Sequence, residues 1–155
     1  MKKIFLIAAM MLGVAAAAIA QPRAVGLRGG YGIEVSYQHT LSDKFAQVDL
    51  GLAAGGFNLA GTYNWMLATP QWTDRGEWGF YAGPGASIGS GVMSLNSYGY
   101  AFHVDVAGMV GLEYTFWFPL QLSVDIRPQL GVGFGPKAGI HATGFWPAFS
   151  ARYKF

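Results

Sequence analysis

The feature of this 155-residue chain that most constrains its fold is a strict two-residue alternation of apolar and polar side chains. Between Phe102 and Phe116, one set of alternate positions reads Phe, Val, Val, Gly, Val, Leu, Tyr, Phe, and the other reads His, Asp, Ala, Met, Gly, Glu, Thr. The alternation recurs from Leu120 to Leu130. Because successive side chains of a β-strand point to opposite faces, this pattern predicts strands with one apolar and one polar face. The fold class predicted is all-β.

Turn-forming residues divide the chain into eight alternating segments. These are residues 23–30, 32–40, 45–53, 57–67, 77–89, 100–117, 120–132 and 144–155. The first boundary has an alternative, since residues 23–40 could form one long strand bent at its glycines. Closed single-chain barrels of the membrane type have an even number of strands, and this favours a count of eight.

The first twenty residues have the pattern of a secretory signal peptide. Lys2 and Lys3 precede an apolar run that closes on Ala18-Ile19-Ala20. This pattern predicts cleavage before Gln21, which leaves residues 21–155 as one domain. An uncleaved membrane helix is the alternative, but a span needs about 20 residues with suitable flanks.

The composition excludes several classes of function. Without Lys2 and Lys3 the formal charge falls from +2 to zero, so no basic stripe remains to bind nucleic acid. The chain has no cysteine, which excludes disulfide scaffolds, thiolate zinc sites and cysteine nucleophiles. Charged residues make up only 12% of the chain, about half of the share that is usual in soluble domains.

Eight alternating strands fit either a soluble barrel, with its polar face in water, or a membrane barrel, with its apolar face in lipid. Seven of the eight predicted strands match or exceed the roughly 9–11 residues that a tilted strand needs to cross a bilayer, and residues 23–30 fall one residue short. Aromatic residues such as Trp78, Tyr114 and Trp117 gather near strand ends, where interfacial residues are expected. Most of the charge alternates onto the polar face, which predicts a charge network in the lumen. Its members are Arg28, Glu34, Asp49, Asp105, Glu113, Asp125, Arg127 and Arg152.

The last segment carries Phe149, Tyr153 and a terminal Phe155 on its apolar face. It resembles the final strand by which Gram-negative outer-membrane barrels are recognised for assembly. The chain also contains Gly26-Leu27-Arg28, Phe80-Tyr-Ala-Gly-Pro-Gly85, Gly111-Leu-Glu-Tyr-Thr-Phe116, Ser123-Val-Asp-Ile-Arg-Pro128 and Ala151-Arg152-Tyr153. With these motifs it resembles the small eight-stranded outer-membrane β-barrel proteins of the OmpA/OmpX-like type. The resemblance implies an outer-membrane location, contact with outer-membrane lipid, and recognition of Tyr153 and Phe155 by the barrel-assembly machinery. The fold hosts several unrelated activities, so it does not define one.

No residue is predicted to be catalytic, and no cofactor or metal is expected. His39 has outward parity, His103 faces the lumen two residues from Asp105, and His141 falls in a loop predicted for residues 133–143. None of them forms a recognisable Ser-His-acid set in the sequence. The opposed charges of the polar face are interpreted as a structural filling of the lumen, because an eight-stranded barrel is just wide enough for side chains.

The predicted function is that of a monomeric, non-enzymatic outer-membrane barrel with a structural or surface-interaction role. A surface ligand would be met by the loops predicted at 90–99 and 133–143. The alternatives are a lipid-modifying acyl hydrolase or transferase, a small diffusion pore, and a soluble periplasmic barrel. Pro84, Pro128 and Pro147 each lack a hydrogen-bond donor, so bulges or strand ends near the membrane rim are expected there.

Overall fold

The computed structural model describes residues 23–30, 32–53, 56–90, 102–135 and 138–155. It contains ten strands: β1 (Arg23–Gly29), β2 (Ile33–Leu41), β3 (Lys44–Ala53), β4 (Gly56–Ala68), β5 (Glu77–Ser90), β6 (Phe102–Thr115), β7 (Leu120–Ile126), β8 (Gln129–Phe134), β9 (Gly139–Thr143) and β10 (Pro147–Lys154). Within these ranges there is no helix long and apolar enough to cross a membrane. The predicted signal peptide lies outside the described residues, as does the predicted loop 90–99 except for Ser90.

The ten strands form an antiparallel barrel with eight strand positions. Strands β1 to β6 pair in chain order, β7 and β8 together occupy the seventh position, and β9 and β10 occupy the eighth. The barrel closes where β10 pairs with β1, from Ala24 opposite Lys154 to Gly29 opposite Phe149. The eight-stranded closed barrel is confirmed, and residues 23–40 form two strands rather than one bent strand.

The seventh and eighth positions are each broken, at adjacent points. Between Ile126 and Gln129 the chain leaves the ladder, and the Pro128 carbonyl accepts a hydrogen bond of 3.0 Å from the Gly108 N–H. Opposite this point lies Gly144, whose φ of 78° is in the left-handed region that favours glycine. A Cβ atom on Gly144 would overlap the Arg127 carbonyl oxygen. The expected irregularity at Pro128 is confirmed, but it lies opposite Gly108, in the middle of β6, and not near an end of the barrel.

The other two prolines behave differently from each other. Pro147 is the first residue of β10, so the strand end expected there is also confirmed. Pro84 lies inside β5 and pairs with Gly108 of β6, so the strand end expected at Pro84 is wrong. Gly83 and Pro84 have no partner in the described pairing of β5 with β4. A residue without an N–H is tolerated at such a position.

The predicted loop 133–143 is wrong. Strand β8 continues to Phe134, and β9 occupies Gly139–Thr143 in a hairpin that pairs Gln129 with Thr143 and Gly133 with Gly139. The alternation of apolar residues extends through both strands, and cross-strand pairing outweighs the glycines that suggested a loop. The predicted strand 144–155 therefore begins earlier, as β9.

The two faces of the barrel wall differ sharply in polarity. Among the described residues, twenty polar or charged side chains are buried and only six hydrophobic residues are. Large apolar side chains such as Leu52, Val106 and Phe149 point outward and are about 70% exposed. The barrel therefore has a polar interior and an apolar outer wall, the reverse of a soluble domain.

We name the two ends of the barrel by the strands that meet there. The terminal end holds Arg23 and Phe155, whose backbones exchange hydrogen bonds of 2.8 and 2.7 Å. The loop end is the opposite one, where β5 ends and β6 begins.

The break at Gly144 generates a test of the fold. We expect Gly144→Ala to lower the free energy of unfolding by about 1–3 kcal/mol, because alanine is strained at this φ and its Cβ meets the Arg127 carbonyl. Urea titration of the detergent-solubilised barrel measures this. Gly61→Ala is the matched control, since its Cβ would meet nothing within 4 Å. Equal unfolding midpoints for the two variants would contradict the left-handed break.

Candidate functional site

Five charged side chains form a continuous chain of ion pairs inside the barrel, and we call them the charge network. Arg28 contacts Asp125 at 2.5 Å and Glu34 at 2.6 Å. Arg127 contacts Glu34 at 2.5 Å and also binds Asp49. The side chains of all five are less than one-tenth exposed. Each carboxylate of the network therefore has a guanidinium partner in a buried setting, where an unpaired charge would cost several kcal/mol.

Strand register brings these side chains together. Arg28 lies directly opposite Glu34 in the β1–β2 pair, and Gly51 of β3 follows as the next neighbour. A Cβ atom on Gly51 would press against Glu34, so the glycine leaves room for that carboxylate. Arg127 lies at the break between β7 and β8 and reaches across the lumen to β2 and β3.

The ion pairs do not follow the order of neighbouring strands. The charged residues on the strands beside β7 are Glu113 of β6 and Arg152 of β10, but Asp125 binds Arg28 of β1 and Arg127 binds the opposite wall. The guanidinium of Arg152 contacts hydroxyl groups instead: Ser123 at 2.8 Å, Ser36 at 2.9 Å and Ser150 at 3.2 Å. The reason is register, because Asp125 lies opposite Ala148, two inward positions away from Arg152 along β10.

An apolar layer lies between the charge network and the terminal end. Phe45, Tyr81 and Met109 are buried against one another, and the Phe45 and Tyr81 rings meet edge to face at 5.0 Å. The Tyr81 hydroxyl donates a hydrogen bond of 3.4 Å to Asp125, which joins this layer to the network. Between this layer and the terminal end lies a cavity of about 440 Å³. Glu113 lines this cavity and so lies apart from the charge network.

On the other side of the network, the described residues line a small cavity. A cavity of about 50 Å³ is lined by Arg28, Glu34, Arg127 and Asn58. Since one water needs roughly 10–15 Å³ measured this way, it holds only a few waters. The described interior is thus filled by side chains around the network.

Two histidines flank Asp105 near the loop end, and we call His103, Asp105 and His141 the histidine cluster. His103 Nδ1 lies 2.7 Å from Asp105 Oδ2, and His141 Nε2 lies 3.0 Å from Asp105 Oδ1. The two imidazole rings are nearly perpendicular, with centroids 5.2 Å apart. Ser87 Oγ donates a 3.0 Å hydrogen bond to Asp105 Oδ2.

The position of His141 shows that the loop predicted for residues 133–143 was wrong for this residue. It lies in β9, where Gly131 of β8 is its cross-strand neighbour, and Gly131 in turn lies opposite Asp105 of β6. The signal that could have found this cluster is the inward parity of His103 and Asp105 on β6 and of His141 on β9. Without the register of the β8–β9 hairpin, that parity cannot be assigned.

The geometry around Ser87 does not match nucleophilic catalysis. A serine nucleophile needs an imidazole between its hydroxyl and the carboxylate. Here the carboxylate is central, and both Ser87 and His103 bind to Asp105. His39 faces outward, and its Nδ1 atom lies 3.3 Å from the Tyr37 hydroxyl. These two groups do not form an acid–base pair for hydrolysis.

All eight residues assigned to the lumen are buried, but they fall into separate groups. The charge network holds five of them, the histidine cluster holds Asp105, and Arg152 and Glu113 lie nearer the terminal end. Tyr153 and Phe155 point outward, more than half exposed. No protein-family model, curated protein or solved structure matches this chain. The similarity to OmpA/OmpX-like barrels therefore stays a prediction.

The network predicts unequal effects for the two buried arginines. Arg127→Ala leaves Glu34 and Asp49 short of a partner and should lower the free energy of unfolding by about 3–5 kcal/mol in urea titrations. Arg152→Ala should cost less, because its bonded partners are neutral hydroxyls. The double variant Arg127→Gln with Asp49→Asn should lose less free energy of unfolding than Arg127→Gln alone. Arg127→Gln combined with Asp125→Asn should lose at least as much as Arg127→Gln alone, because Asp125 binds Arg28.

Exposed Arg75 provides the control for charge removal, and Arg75→Ala should unfold like the wild type. If Arg127→Ala also unfolds like the wild type, its carboxylate partners are solvated and the lumen is open to water.

Proposed function

We propose that this protein is an exported, integral outer-membrane β-barrel whose lumen is filled, with a structural or surface-interaction role. The observation that carries the proposal is the distribution of charge over the barrel wall. Of the acidic and basic residues within the described strands, only Glu77 is exposed, and it is the first residue of β5. A wall without charged side chains between its rims suits a hydrocarbon solvent.

The energetic argument concerns the outward side chains. Residues such as Leu27, Val35 and Leu50 stand about half exposed on neighbouring strands. Transfer of each such side chain out of water is favourable by about 1.5–3 kcal/mol when complete. A continuous apolar surface of this kind exceeds what soluble monomers expose, and it indicates a lipid or protein environment.

Exposed aromatic residues near both ends support lipid rather than protein as that environment. Large aromatic side chains prefer the membrane–water interface, and membrane barrels carry them as two girdles. Near the terminal end these are Trp72, Trp117, Phe118, Tyr153 and Phe155, and near the loop end Phe57, Phe102 and Phe134. The wall between them consists mainly of Val, Leu, Ile and small residues.

The features expected of export and assembly support the same proposal. The signal-peptide pattern before Gln21 would send the chain across the inner membrane. On the last strand, the Tyr153 and Phe155 rings are stacked at 6.3 Å on the outer face, where an assembly factor could bind them.

The alternatives receive less support. A diffusion pore needs an open lumen, whereas the charge network and the apolar layer occupy the described interior. A lipid-modifying enzyme needs its catalytic set on the lipid-facing wall, whereas His103 and His141 face inward. The short β8–β9 connection leaves segment 90–99 as the proposed site for a surface ligand.

A charge on the outer wall tests the membrane proposal. We expect Val106→Lys to reduce the amount of barrel that resists carbonate extraction, because a lysine near the bilayer midplane costs about 2–4 kcal/mol. In a soluble barrel the same change would be harmless, since Val106 is 68% exposed. Gln71→Lys in the exposed turn after β4 is the matched control and should behave like the wild type. Extraction of the wild type by carbonate would refute the proposal.

The C-terminal residue tests assembly separately from stability. We expect Phe155→Asp to lower the amount of heat-modifiable barrel recovered in the outer membrane, because it removes the outward aromatic residue that the assembly machinery would bind. Its backbone hydrogen bonds with Arg23 can remain, so refolding of the purified protein in detergent should be nearly unchanged. Phe134→Asp, at the opposite rim, is the control. Equal recovery of both variants in cells would contradict the assembly signal.

A further inference from the structure

We propose that the histidine cluster is a binding site for a divalent transition-metal ion of the Zn²⁺ class. This goes beyond the proposed function and does not depend on whether the barrel lies in a membrane. One ligand atom from each of His103, Asp105 and His141 can be chosen such that all three lie within 4.8 Å of one another.

The three side chains come from two strands, β6 and β9, on either side of β8, and converge near the loop end. His103 and Asp105 are two residues apart on β6, and His141 reaches them from β9, across β8. Zinc bound at about 2.0–2.1 Å places tetrahedral ligands about 3.4 Å apart. The most widely separated ligand atoms must therefore approach by up to about 1.4 Å, while each imidazole nitrogen moves slightly away from its carboxylate oxygen, and rotations of the imidazole rings can supply both changes.

The electrostatics of Asp105 distinguish it from the carboxylates of the charge network. Glu34, Asp49 and Asp125 each contact an arginine, whereas the ion-pair partners described for Asp105 are the two imidazoles. Asp105 is 2% exposed, so its negative charge is held away from water. A divalent cation between the carboxylate and the imidazoles would neutralise this buried charge.

Two glycines leave space for the cluster. Gly89 lies opposite His103, and Gly131 lies opposite both Asp105 and His141. A Cβ atom on Gly89 would overlap His103 Nε2, and one on Gly131 would overlap Asp105 Oδ1. His103 is itself 3% exposed, and its Nε2 has no hydrogen-bond partner among the described residues. The wall is thus shaped around the cluster, and His103 keeps one ring nitrogen without a hydrogen-bond partner among the described residues.

The donor set selects the class of metal. Imidazole nitrogen with one carboxylate suits Zn²⁺ and neighbouring first-row ions, whereas Mg²⁺ and Ca²⁺ prefer oxygen ligands alone. Three protein ligands leave a fourth position for water. Binding through His103 Nδ1 and His141 Nε2 requires each imidazole to keep its proton on the other ring nitrogen. Ser87 then holds Asp105 from outside the metal shell.

The test uses the full mature chain, without a polyhistidine tag, folded in detergent. Zinc chloride is titrated into protein whose imidazoles carry ¹⁵N, and calorimetry runs in parallel. The chain has three histidines, so His39 is an internal control. The proposal predicts one Zn²⁺ per barrel, with ¹⁵N shifts at His103 and His141 and none at His39. Absence of binding, or shifts at His39 alone, would overturn it.

A variant pair tests the ligands directly. His141→Gln should weaken Zn²⁺ binding at least about tenfold, a loss expected even for residues that only support a ligand. His39→Gln should bind like the wild type. Equal affinity of His141→Gln and the wild type would overturn the proposal, and if His141→Gln does not fold, the ¹⁵N titration of the wild type decides.

Discussion

The structure depends on one constraint: a closed sheet with alternating side chains must place every second residue inside a narrow lumen. In this chain those residues are polar, so the interior must satisfy charges rather than pack hydrocarbons. The pairing of Arg28 and Arg127 with Glu34, Asp49 and Asp125 meets that requirement. Because each arginine contacts two carboxylates, the five residues behave as a unit, and loss of one member leaves the others uncompensated in a site with little water.

The arrangement along the barrel axis follows from the size of the side chains. Phe45, Tyr81 and Met109 form a layer between the network and the cavity at the terminal end, and Tyr81 joins that layer to the network through Asp125. The long arginines fill the middle by crossing from one wall to the other. The side chains of the histidine cluster, near the loop end, are shorter than the arginines, and Gly89 and Gly131 leave room for them in the wall. One lumen thus contains three environments of different chemistry.

The outer wall and the interior support different parts of the functional interpretation. The apolar wall, with aromatic residues near both rims, supports the proposal of a membrane location. This support does not depend on what the lumen contains. The filled lumen argues for a structural or surface role instead of transport. The histidine cluster adds a chemistry that neither role requires, because its carboxylate is paired with imidazoles, whereas the carboxylates of the charge network are paired with guanidinium groups.

The sequence by itself determined the eight strand positions, the antiparallel barrel and the inward or outward direction of most strand residues. Side-chain direction is a local property, because it alternates with each residue, and Asp105 or Arg152 could be assigned to the interior from parity alone. Only the tertiary structure decided which groups meet. Arg127 binds Glu34 and Asp49, and His141 contacts Asp105 from β9, a strand that its glycine-rich sequence had led us to predict as a loop. Partners depend on register, on the breaks at Pro128 and Gly144, and on the width of the closed lumen, and these arise only when all strands are in place.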